Sequence, residues 1–200
     1  MRVIYRIALL ISWFACILIC LIYELHYEVT PGSKAHPASS WPIQSSIPLS
    51  RSGYTLIMLA HPKCPCTRAS LFELQYIIGH SQSPVSCYIL FYHPAGVVKG
   101  WMQSPLYHEA VSIPGVKALR DLNGELASKF RGSVSGQTYL YNSKGELLFN
   151  GGITFSRGHE GTNPGEESVL AILAGQKPIC TSSPVFGCSI QPGVLTSLSS

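Results

Sequence analysis

The sequence predicts an α/β domain with a central mixed sheet, preceded by one N-terminal transmembrane helix. Residues 3–23 are apolar except for Arg6 and Ser12, which predicts the membrane helix. Residues 54–60 form a short apolar run followed by a turn and by apolar residues at helical spacing, which indicates a strand, a turn and a helix. Residues 85–92 form a nearly continuous β-branched and aromatic run, typical of a parallel strand covered on both faces.

The apolar N-terminal segment has the features of an uncleaved signal anchor. From Ile7 it reaches the roughly 17–20 residues that a membrane helix needs. Arg2 and Arg6 precede it and acidic residues follow it, so the positive-inside rule places the N-terminus in the cytoplasm. The next residues, Glu24-Leu25-His26-Tyr27, contain no small-residue cleavage site. We therefore expect a single-pass protein of the cytoplasmic (inner) membrane, with its domain in the periplasm or extracytoplasmic space.

The amino-acid composition separates the chain into segments and argues against nucleic-acid binding. Its 14 Lys and Arg residues barely exceed its 10 Asp and Glu residues, and no basic stripe is present, which argues against a nucleic-acid binder. Proline and serine are frequent between the anchor and the first strand, which indicates a linker. The predicted segments are the anchor at 1–25, the linker at 26–53, the domain at 54–176 and a cysteine-containing tail at 177–200.

Two cysteines one residue apart open the first helix of the predicted domain. Pro65 lies between Cys64 and Cys66, and its fixed φ and missing N–H suit the first turn of a helix, so Cys64 falls near the N-cap. The helix dipole and free N–H groups there bring a cysteine pKa from about 8.5 down to roughly 3.5–7.5. Cys64 is therefore the predicted nucleophile. Cys66 is the thiol expected to resolve its mixed disulfide.

The residues around the two cysteines favour exchange between thiols and disulfides, and they leave two alternative functions open. Lys63 and Arg68 flank the cysteines and favour the thiolate, while His61 is positioned to add charge or to shuttle a proton. Cys64, Cys66 and His61 are also soft ligands suited to Cu(I), so a metal-binding or copper-chaperone module is one alternative. A non-catalytic scaffold with a stabilising bridge is the other.

The cysteine segment resembles the active site of the thioredoxin fold, with Cys-x-Cys in place of the usual Cys-x-x-Cys. The strings HPKCPCTRAS, GGITFSRGHEGTN and SPVFGC are similar to those of RedB-type membrane-anchored thioredoxin-like proteins. This resemblance implies a thioredoxin-like fold, a redox-active disulfide rather than a bound cofactor, and a protein thiol or disulfide as substrate. Any reducing role would require electrons from a membrane redox partner.

The second half of the domain is expected to contain a helix, a hairpin and a closing helix. Leu122, Leu126 and Phe130 recur at helical spacing, whereas residues 95–118 predict only loops and a short helix. The remaining elements are a strand at Gln137–Tyr141, a turn at 142–145, a return strand at Glu146–Gly151 and a helix at Glu166–Ala174.

Gln137 stands where thioredoxin-like proteins place a cis-proline, before the strand that faces the cysteines. A non-proline cis bond costs about 2.5–4 kcal/mol, so we expect a trans peptide here. The side chain either hydrogen-bonds near the thiols or faces solvent. The loop 151–164 should return to the same sheet edge. There Arg157 would stabilise a thiolate, and His159 with Glu160 would relay protons.

The remaining cysteines are assigned by their positions. Cys87 lies within a predicted strand and is expected to be a buried, inert thiol. Cys180 and Cys188 close a short loop of the tail, and in an oxidising compartment a structural disulfide between them would contribute roughly 2–3 kcal/mol. The alternative is that one of them reaches the Cys64–Cys66 pair as a resolving thiol or a metal ligand.

Overall fold

The computed structural model describes residues 2–33, 37–96 and 100–190. The chain separates into two compact units, Met1–Thr30 and Pro31–Ser200. The first unit is a helix, α1 (Arg2–Val29), with no buried side chain. Its length and its mean hydropathy of 2.4 are those of a membrane span, although signal sequences also meet these criteria.

The described part of the second unit forms a five-stranded mixed sheet flanked by helices. The strands are β1 (Tyr54–Ala60), β2 (Val85–His93), β3 (Val116–Leu122), β4 (Thr138–Tyr141) and β5 (Leu147–Gly151). The helices are α2 (Cys66–His80), α3 (Pro105–Ser112), α4 (Glu125–Lys129) and α5 (Pro164–Leu173). The strand order is β3-β2-β1-β4-β5. β1, β2 and β3 are parallel, and β4 pairs antiparallel with β1 and with β5, which is the predicted thioredoxin-like fold.

β1 is the central strand and is covered on both faces. Leu56 and Met58 pack with Leu74 of α2 in one apolar cluster, while Ile57 and Leu59 belong to a second cluster on the opposite face. All five side chains are 0% exposed. Because successive side chains of a strand point to opposite faces, this uninterrupted apolar run anchors both layers of the domain. The strand ends immediately before the turn that carries the cysteines.

The third parallel strand was not predicted from the sequence. β3 lies at the edge of the sheet, and among its side chains only that of Asp121 is fully buried. An edge strand of mixed polarity lacks the continuous apolar run that identifies β1 and β2, which explains the omission.

The predicted helix through Leu122, Leu126 and Phe130 is shorter than its apolar spacing indicates. Leu122 closes β3 instead, and α4 spans only Glu125–Lys129. The Asp121 carboxylate accepts the N–H groups of Leu126 and Ala127 at 2.7 and 3.0 Å. This cap satisfies the free N–H groups of the first turn and fixes the start of the helix.

Part of the segment expected to be a linker packs against the domain. The N–H of Trp41 donates to the carbonyl of Gly145 at 2.7 Å. Its ring lies edge-on to those of Phe130 and Tyr141, with centroid separations of 5.2 and 5.1 Å. Burial of a large aromatic side chain outweighs the tendency of proline and serine to stay in an open chain.

The hairpin and the trans peptide agree with the predictions. Asn142 accepts the N–H of Gly145 at 2.9 Å, and Gly145 has a φ of +79°, the left-handed region that glycine adopts without strain. No cis peptide bond occurs within residues 2–33, 37–96 and 100–190, so the bond before Gln137 is trans.

A buried pair of carboxyl groups links α2 to α5. Glu73 and Glu166 are 2% and 4% exposed and hydrogen-bond to each other, with the proton of this bond on Glu166. Burial, followed by the charge of Glu73, raises the pKa of Glu166 to about 7. Glu73 also accepts the N–H of Gly161 at 2.5 Å, while Asn163 caps α5 by accepting the N–H of Glu166 at 3.0 Å. The pair therefore joins both helices to the loop between β5 and α5.

Replacing Glu166 with Gln should flatten the pH dependence of stability between about pH 4.5 and 7. The pKa of Glu166 is higher in the folded chain than the unfolded value of about 4.3, so the folded chain binds more protons in this window. Wild-type stability should therefore fall as pH rises. Glutamine does not titrate, and we expect the fall to shrink by on the order of 1–3 kcal/mol.

The measurement is the free energy of unfolding of the detergent-solubilised chain at pH 4.5 and 7.5. Glu167→Gln is the matched control, because Glu167 is an exposed neighbour on the same helix and its variant should follow the wild type. An equally steep fall in Glu166→Gln would disprove the shared-proton interpretation.

Candidate active site

The site is built on the turn between β1 and α2. Pro65 occupies the N-cap of α2 with φ −61°, and the helix begins at Cys66. The N–H of Cys64 donates to the carbonyl of His61 at 3.1 Å, and the carbonyl of Cys64 accepts the N–H of Thr67 at 3.0 Å. The helix begins slightly later than expected, and both sulfur atoms lie at its N-terminus.

Hydrogen-bond donors surround the sulfur of Cys64. The thiols and the backbone N–H groups of Cys66 and Cys188 act on it as donors that lower its pKa. The bond from the Cys66 thiol is the largest effect on the pKa of Cys64, and burial opposes it because the side chain is only 1% exposed. The pKa of Cys64 is lowered to about 4, which makes this sulfur a thiolate at neutral pH.

The two neighbouring thiols remain protonated. Donation to the Cys64 thiolate raises the pKa of Cys66 well above its ordinary value, and burial adds to this. Burial, followed by donation to Cys64, raises the pKa of Cys188 to about 12. The positive charge of Arg157 acts in the opposite direction on both. The site therefore has one anionic sulfur and two thiol donors.

The loop after β5 borders these sulfurs through Arg157. Its Nη1 donates to the carbonyl of Gly187 at 2.9 Å, which holds the guanidinium beside the tail. His159 is exposed, and its Nδ1 lies 2.9 Å from both Ser156 Oγ and the carbonyl of Arg157, so these contacts remain within its own loop. Glu160 is also exposed. The structure thus brings Arg157 to the thiols and places His159 and Glu160 on the loop surface.

His61 lies half-buried beside the cysteine turn. Burial lowers its pKa, while the Cys64 thiolate opposes this effect and Lys63 adds to it. The Nδ1 atom accepts the N–H of Lys63 at 3.2 Å, and the ring stacks on Tyr92 at 5.9 Å. His61 is therefore a neutral imidazole near neutral pH, suited to passing a proton rather than to supplying a fixed charge.

Lys63 and Arg68 line a cleft that reaches Cys64. The ammonium group of Lys63 lies 4.4 Å from the centre of the Trp101 ring, and Arg68 Nε lies 3.9 Å from Glu109 Oε2 in an exposed, weak ion pair. The cleft has a volume of about 480 Å³. It is lined by Lys63, Cys64, Pro65, Arg68, Pro105 and Leu106.

Gln137 meets neither of the two expectations for its side chain. It is only 2% exposed, which excludes a solvent-facing position. Its Oε1 accepts the N–H of Ser133 at 3.3 Å, and its Nε2 donates to Asn150 Oδ1 at 3.1 Å. The side chain therefore joins the entry of β4 to β5 instead of contacting the thiols, because the neighbouring backbone offers it both a donor and an acceptor.

The expected disulfide between Cys180 and Cys188 is not formed. All seven cysteines, each within the described residues, are free thiols. Cys180 packs beside Ser168 of α5, with its N–H donating to Ser168 Oγ at 3.0 Å. Cys188 lies instead against Cys64. The pairing fails because tertiary contacts hold the two ends of the short loop at different parts of the domain.

The tail reaches the site through backbone hydrogen bonds that the sequence did not reveal. The N–H of Ser135 donates to the carbonyl of Cys188 at 2.8 Å, and Val134 forms an antiparallel bridge with Ser189. A Cβ added at Gly187 would lie 1.9 Å from the carbonyl oxygen of Ser135, so only glycine permits this approach. The segment before β4 therefore holds the tail beside the cysteine turn.

A buried pair of hydroxyl groups fixes the turn before the cysteines. Ser135 Oγ accepts the N–H of His61 at 2.9 Å and lies 2.8 Å from Thr67 Oγ1, which in turn donates to the carbonyl of His61 at 3.2 Å. Sequence analysis missed Thr67 and Ser135, because single hydroxyl residues on separate elements carry no periodic signal. They couple the start of α2 to the segment that holds the tail.

No group of three or more His, Cys, Asp and Glu side chains is arranged to hold a metal ion in the described parts of the chain. Cys64, Cys66 and His61, the alternative Cu(I) ligands, lie within one turn. The Nδ1 of His61 already accepts a backbone N–H there.

Comparison with known proteins identifies similar folds. No protein-family model and no curated protein matches the chain. An uncharacterized conserved protein from Geobacillus kaustophilus is 21% identical, with a TM-score of 0.52 over 81% of this chain and 92% of its own. A hypothetical protein from Sinorhizobium meliloti is 18% identical, with a TM-score of 0.54 over 82% and 94%.

A secreted Mycobacterium tuberculosis disulfide oxidoreductase, described as homologous to E. coli DsbE, is also similar. It is 12% identical, with a TM-score of 0.43 over 64% of this chain and 84% of its own. At these identities the similarity to the Geobacillus and Sinorhizobium proteins establishes a shared fold, and the topology described above is that of a thioredoxin-like domain that follows an apolar helix in the sequence.

Proposed function

We propose that this chain is a membrane-tethered, extracytoplasmic thiol–disulfide oxidoreductase of the RedB type. One observation carries the proposal: the Cys64 sulfur lies at a helix N-terminus, where thiol and backbone donors lower its pKa to about 4. Thiol–disulfide exchange proceeds by attack of a thiolate on a disulfide sulfur. Cys64 meets this requirement at neutral pH, and protonated thiols stand beside it to complete the reaction.

The first step is attack by Cys64. Its thiolate forms a mixed disulfide with one half of the substrate and releases the other half as a thiolate. Cys66 then gives its proton to the released thiolate, attacks the Cys64 sulfur and displaces the second half of the substrate as a thiolate. The negative charge on Cys64, which raised the pKa of Cys66, disappears in the mixed disulfide, while the positive charge of Arg157 remains. Formation of the mixed disulfide therefore favours ionisation of the resolving thiol.

The cleft beside Cys64 suits a disulfide presented by a protein or peptide. Its lining combines the Cys64–Pro65 turn and the apolar side chain of Leu106 with the positive charges of Lys63 and Arg68. Such a lining favours an apolar segment with nearby acidic residues. A bridge between Cys64 and Cys66 would enclose a single residue, and the strain of so tight a ring favours oxidation or isomerisation of substrates.

The N-terminal helix α1 is the basis for the proposed location of the protein. Helix α1 is long and apolar enough to cross a membrane, and Arg2 and Arg6 near its start favour a cytoplasmic N-terminus. The domain would then lie outside the cytoplasm. There it would act on protein thiols or disulfides and, in a reducing role, receive electrons from a membrane redox partner.

Replacing Cys64 with Ser should abolish exchange. A serine hydroxyl is not ionised at neutral pH, so we expect the rate with a peptide disulfide to fall at least about 100-fold. The measurement is release of peptide thiol by the reduced, detergent-solubilised chain. Cys180→Ser is the control, because Cys180 packs against α5 and its variant should retain the wild-type rate. Undiminished release from Cys64→Ser would contradict the proposal.

Alkylation of Cys64 should be nearly independent of pH between 6 and 8. A thiol with a pKa of about 4 is fully ionised throughout this range. A thiol with the ordinary pKa of about 8.5 should instead react tens of times more slowly at pH 6 than at pH 8. Iodoacetamide labelling of the reduced chain, read at Cys64 by mass spectrometry, gives the profile, and free cysteine is the reference. A midpoint of the alkylation rate near pH 8.5 would show that Cys64 is an ordinary thiol and would contradict its proposed role as nucleophile.

A further inference from the structure

We propose that Cys188 is a second resolving thiol, which forms a disulfide with Cys64 and thereby fastens the tail across the site. The inference rests on the proposed exchange chemistry of Cys64 and adds to it a third redox-active cysteine. Cys188 thereby takes the resolving role that the sequence analysis gave as the alternative to a structural bridge with Cys180.

The first argument is contact between the two sulfur groups. The thiol and the backbone N–H of Cys188 lie near enough to the sulfur of Cys64 to lower its pKa as hydrogen-bond donors. Ser135 explains this proximity, because its N–H binds the carbonyl of Cys188 at 2.8 Å and its Oγ binds the N–H of His61, at the start of the cysteine turn, at 2.9 Å. Two neighbouring cysteines whose backbones the fold already holds together need only side-chain movement to reach the S–S bond length of about 2.05 Å. Cys64 therefore has two thiols within reach, one from its own turn and one from the far end of the described chain.

The second argument is that the fold holds Cys188 in place. The carbonyl of the preceding residue, Gly187, accepts from Arg157 Nη1 at 2.9 Å, and the carbonyl of Cys188 itself accepts the N–H of Ser135 at 2.8 Å. On the other side, Ser189 pairs with Val134. Bonds before, at and after Cys188 fix its backbone, so its contact with Cys64 follows from the packing of the tail.

The third argument concerns strain. A Cys64–Cys66 bridge would close a ring around a single residue. A Cys64–Cys188 bridge would join segments that are distant in sequence and already adjacent in space, without a tight ring. Closing so long a loop also restricts the unfolded chain, which adds stability to the bridged form. The Cys64–Cys188 disulfide should therefore be the more persistent of the two oxidised forms.

The fourth argument concerns access. Cys64 and Cys66 are 1% and 6% exposed, whereas Cys188 is partly exposed. An incoming thiolate would reach the Cys188 sulfur of the bridge more easily than that of Cys64. Attack there expels Cys64, whose low pKa makes it the better leaving group. The same geometry that forms the bridge therefore also favours its reduction.

The resolving step balances as follows. After the Cys64 thiolate attacks a substrate disulfide R–S–S–R′, the products are the mixed disulfide Cys64–S–S–R and the thiolate R′S⁻. The Cys188 thiol gives its proton to R′S⁻ and attacks the Cys64 sulfur. The Cys64–Cys188 bond forms, the bond to the substrate sulfur breaks, and RS⁻ leaves. The two cysteines lose two electrons, and the substrate disulfide gains them.

The test follows a single turnover of the full, reduced chain in detergent with one equivalent of dithiobis-nitrobenzoate. Capture by Cys64 releases one coloured thiolate, and resolution releases the second. In Cys66→Ser we expect the second release to continue and non-reducing peptide mapping to find Cys64 joined to Cys188. In Cys66→Ser/Cys188→Ser the mixed disulfide should persist at least about 10-fold longer.

Cys66→Ser/Cys180→Ser is the matched control and should resolve like Cys66→Ser, because Cys180 lies against Ser168. Unfolding midpoints show that each variant is folded, and Cys66→Ser/Cys188→Ala repeats the test without a hydroxyl group. The inference is overturned if Cys66→Ser holds the mixed disulfide as long as Cys66→Ser/Cys188→Ser does. Absence of first capture at Cys64 in every variant would instead overturn the proposed function.

Discussion

The hydrogen bonds donated to the Cys64 sulfur are the interaction on which the rest of the site depends. Burial alone would keep Cys64 a neutral thiol, since an isolated charge is unfavourable away from water. Thiol and backbone donors from Cys66 and Cys188 outweigh that effect and leave the negative charge on one sulfur of three. The same bonds keep the two donors protonated. Attacking and resolving groups are thus distinguished before any substrate binds.

This arrangement requires four chain segments to meet at one end of the sheet. The buried strand β1 delivers the cysteine turn, and the hydroxyl groups of Thr67 and Ser135 join that turn to the segment before β4. The same segment binds the tail through the carbonyl of Cys188, and the loop after β5 contributes Arg157. The contacts within the cysteine turn are local, whereas Ser135, Cys188 and Arg157 come from distant segments, so the complete site depends on the folded domain.

The buried carboxyl pair connects the helix of the cysteine site to elements farther from the sulfur atoms. Glu73 belongs to the helix that begins at Cys66, and it accepts an N–H from Gly161 in the loop that also carries Arg157. Its bond to Glu166 adds α5 to the same unit. The pair therefore connects α2, α5 and the loop that carries Arg157.

The sequence alone determined the features that depend on neighbouring residues. Continuous apolar runs identified β1 and β2, Pro65 placed the cysteines at a helix start, and Asn142 with Gly145 marked the hairpin. These predictions were correct because local backbone preferences and burial on both faces leave a direct pattern in the chain. Only tertiary structure decided the position of β3, the packing of Trp41, the buried bonds of Gln137 and the separation of Cys180 from Cys188. Each of these depends on contacts between distant segments. The spacing of the cysteines left both a Cys180–Cys188 bridge and a tail cysteine beside the Cys64–Cys66 pair open, and only contacts made in the folded domain decide between them.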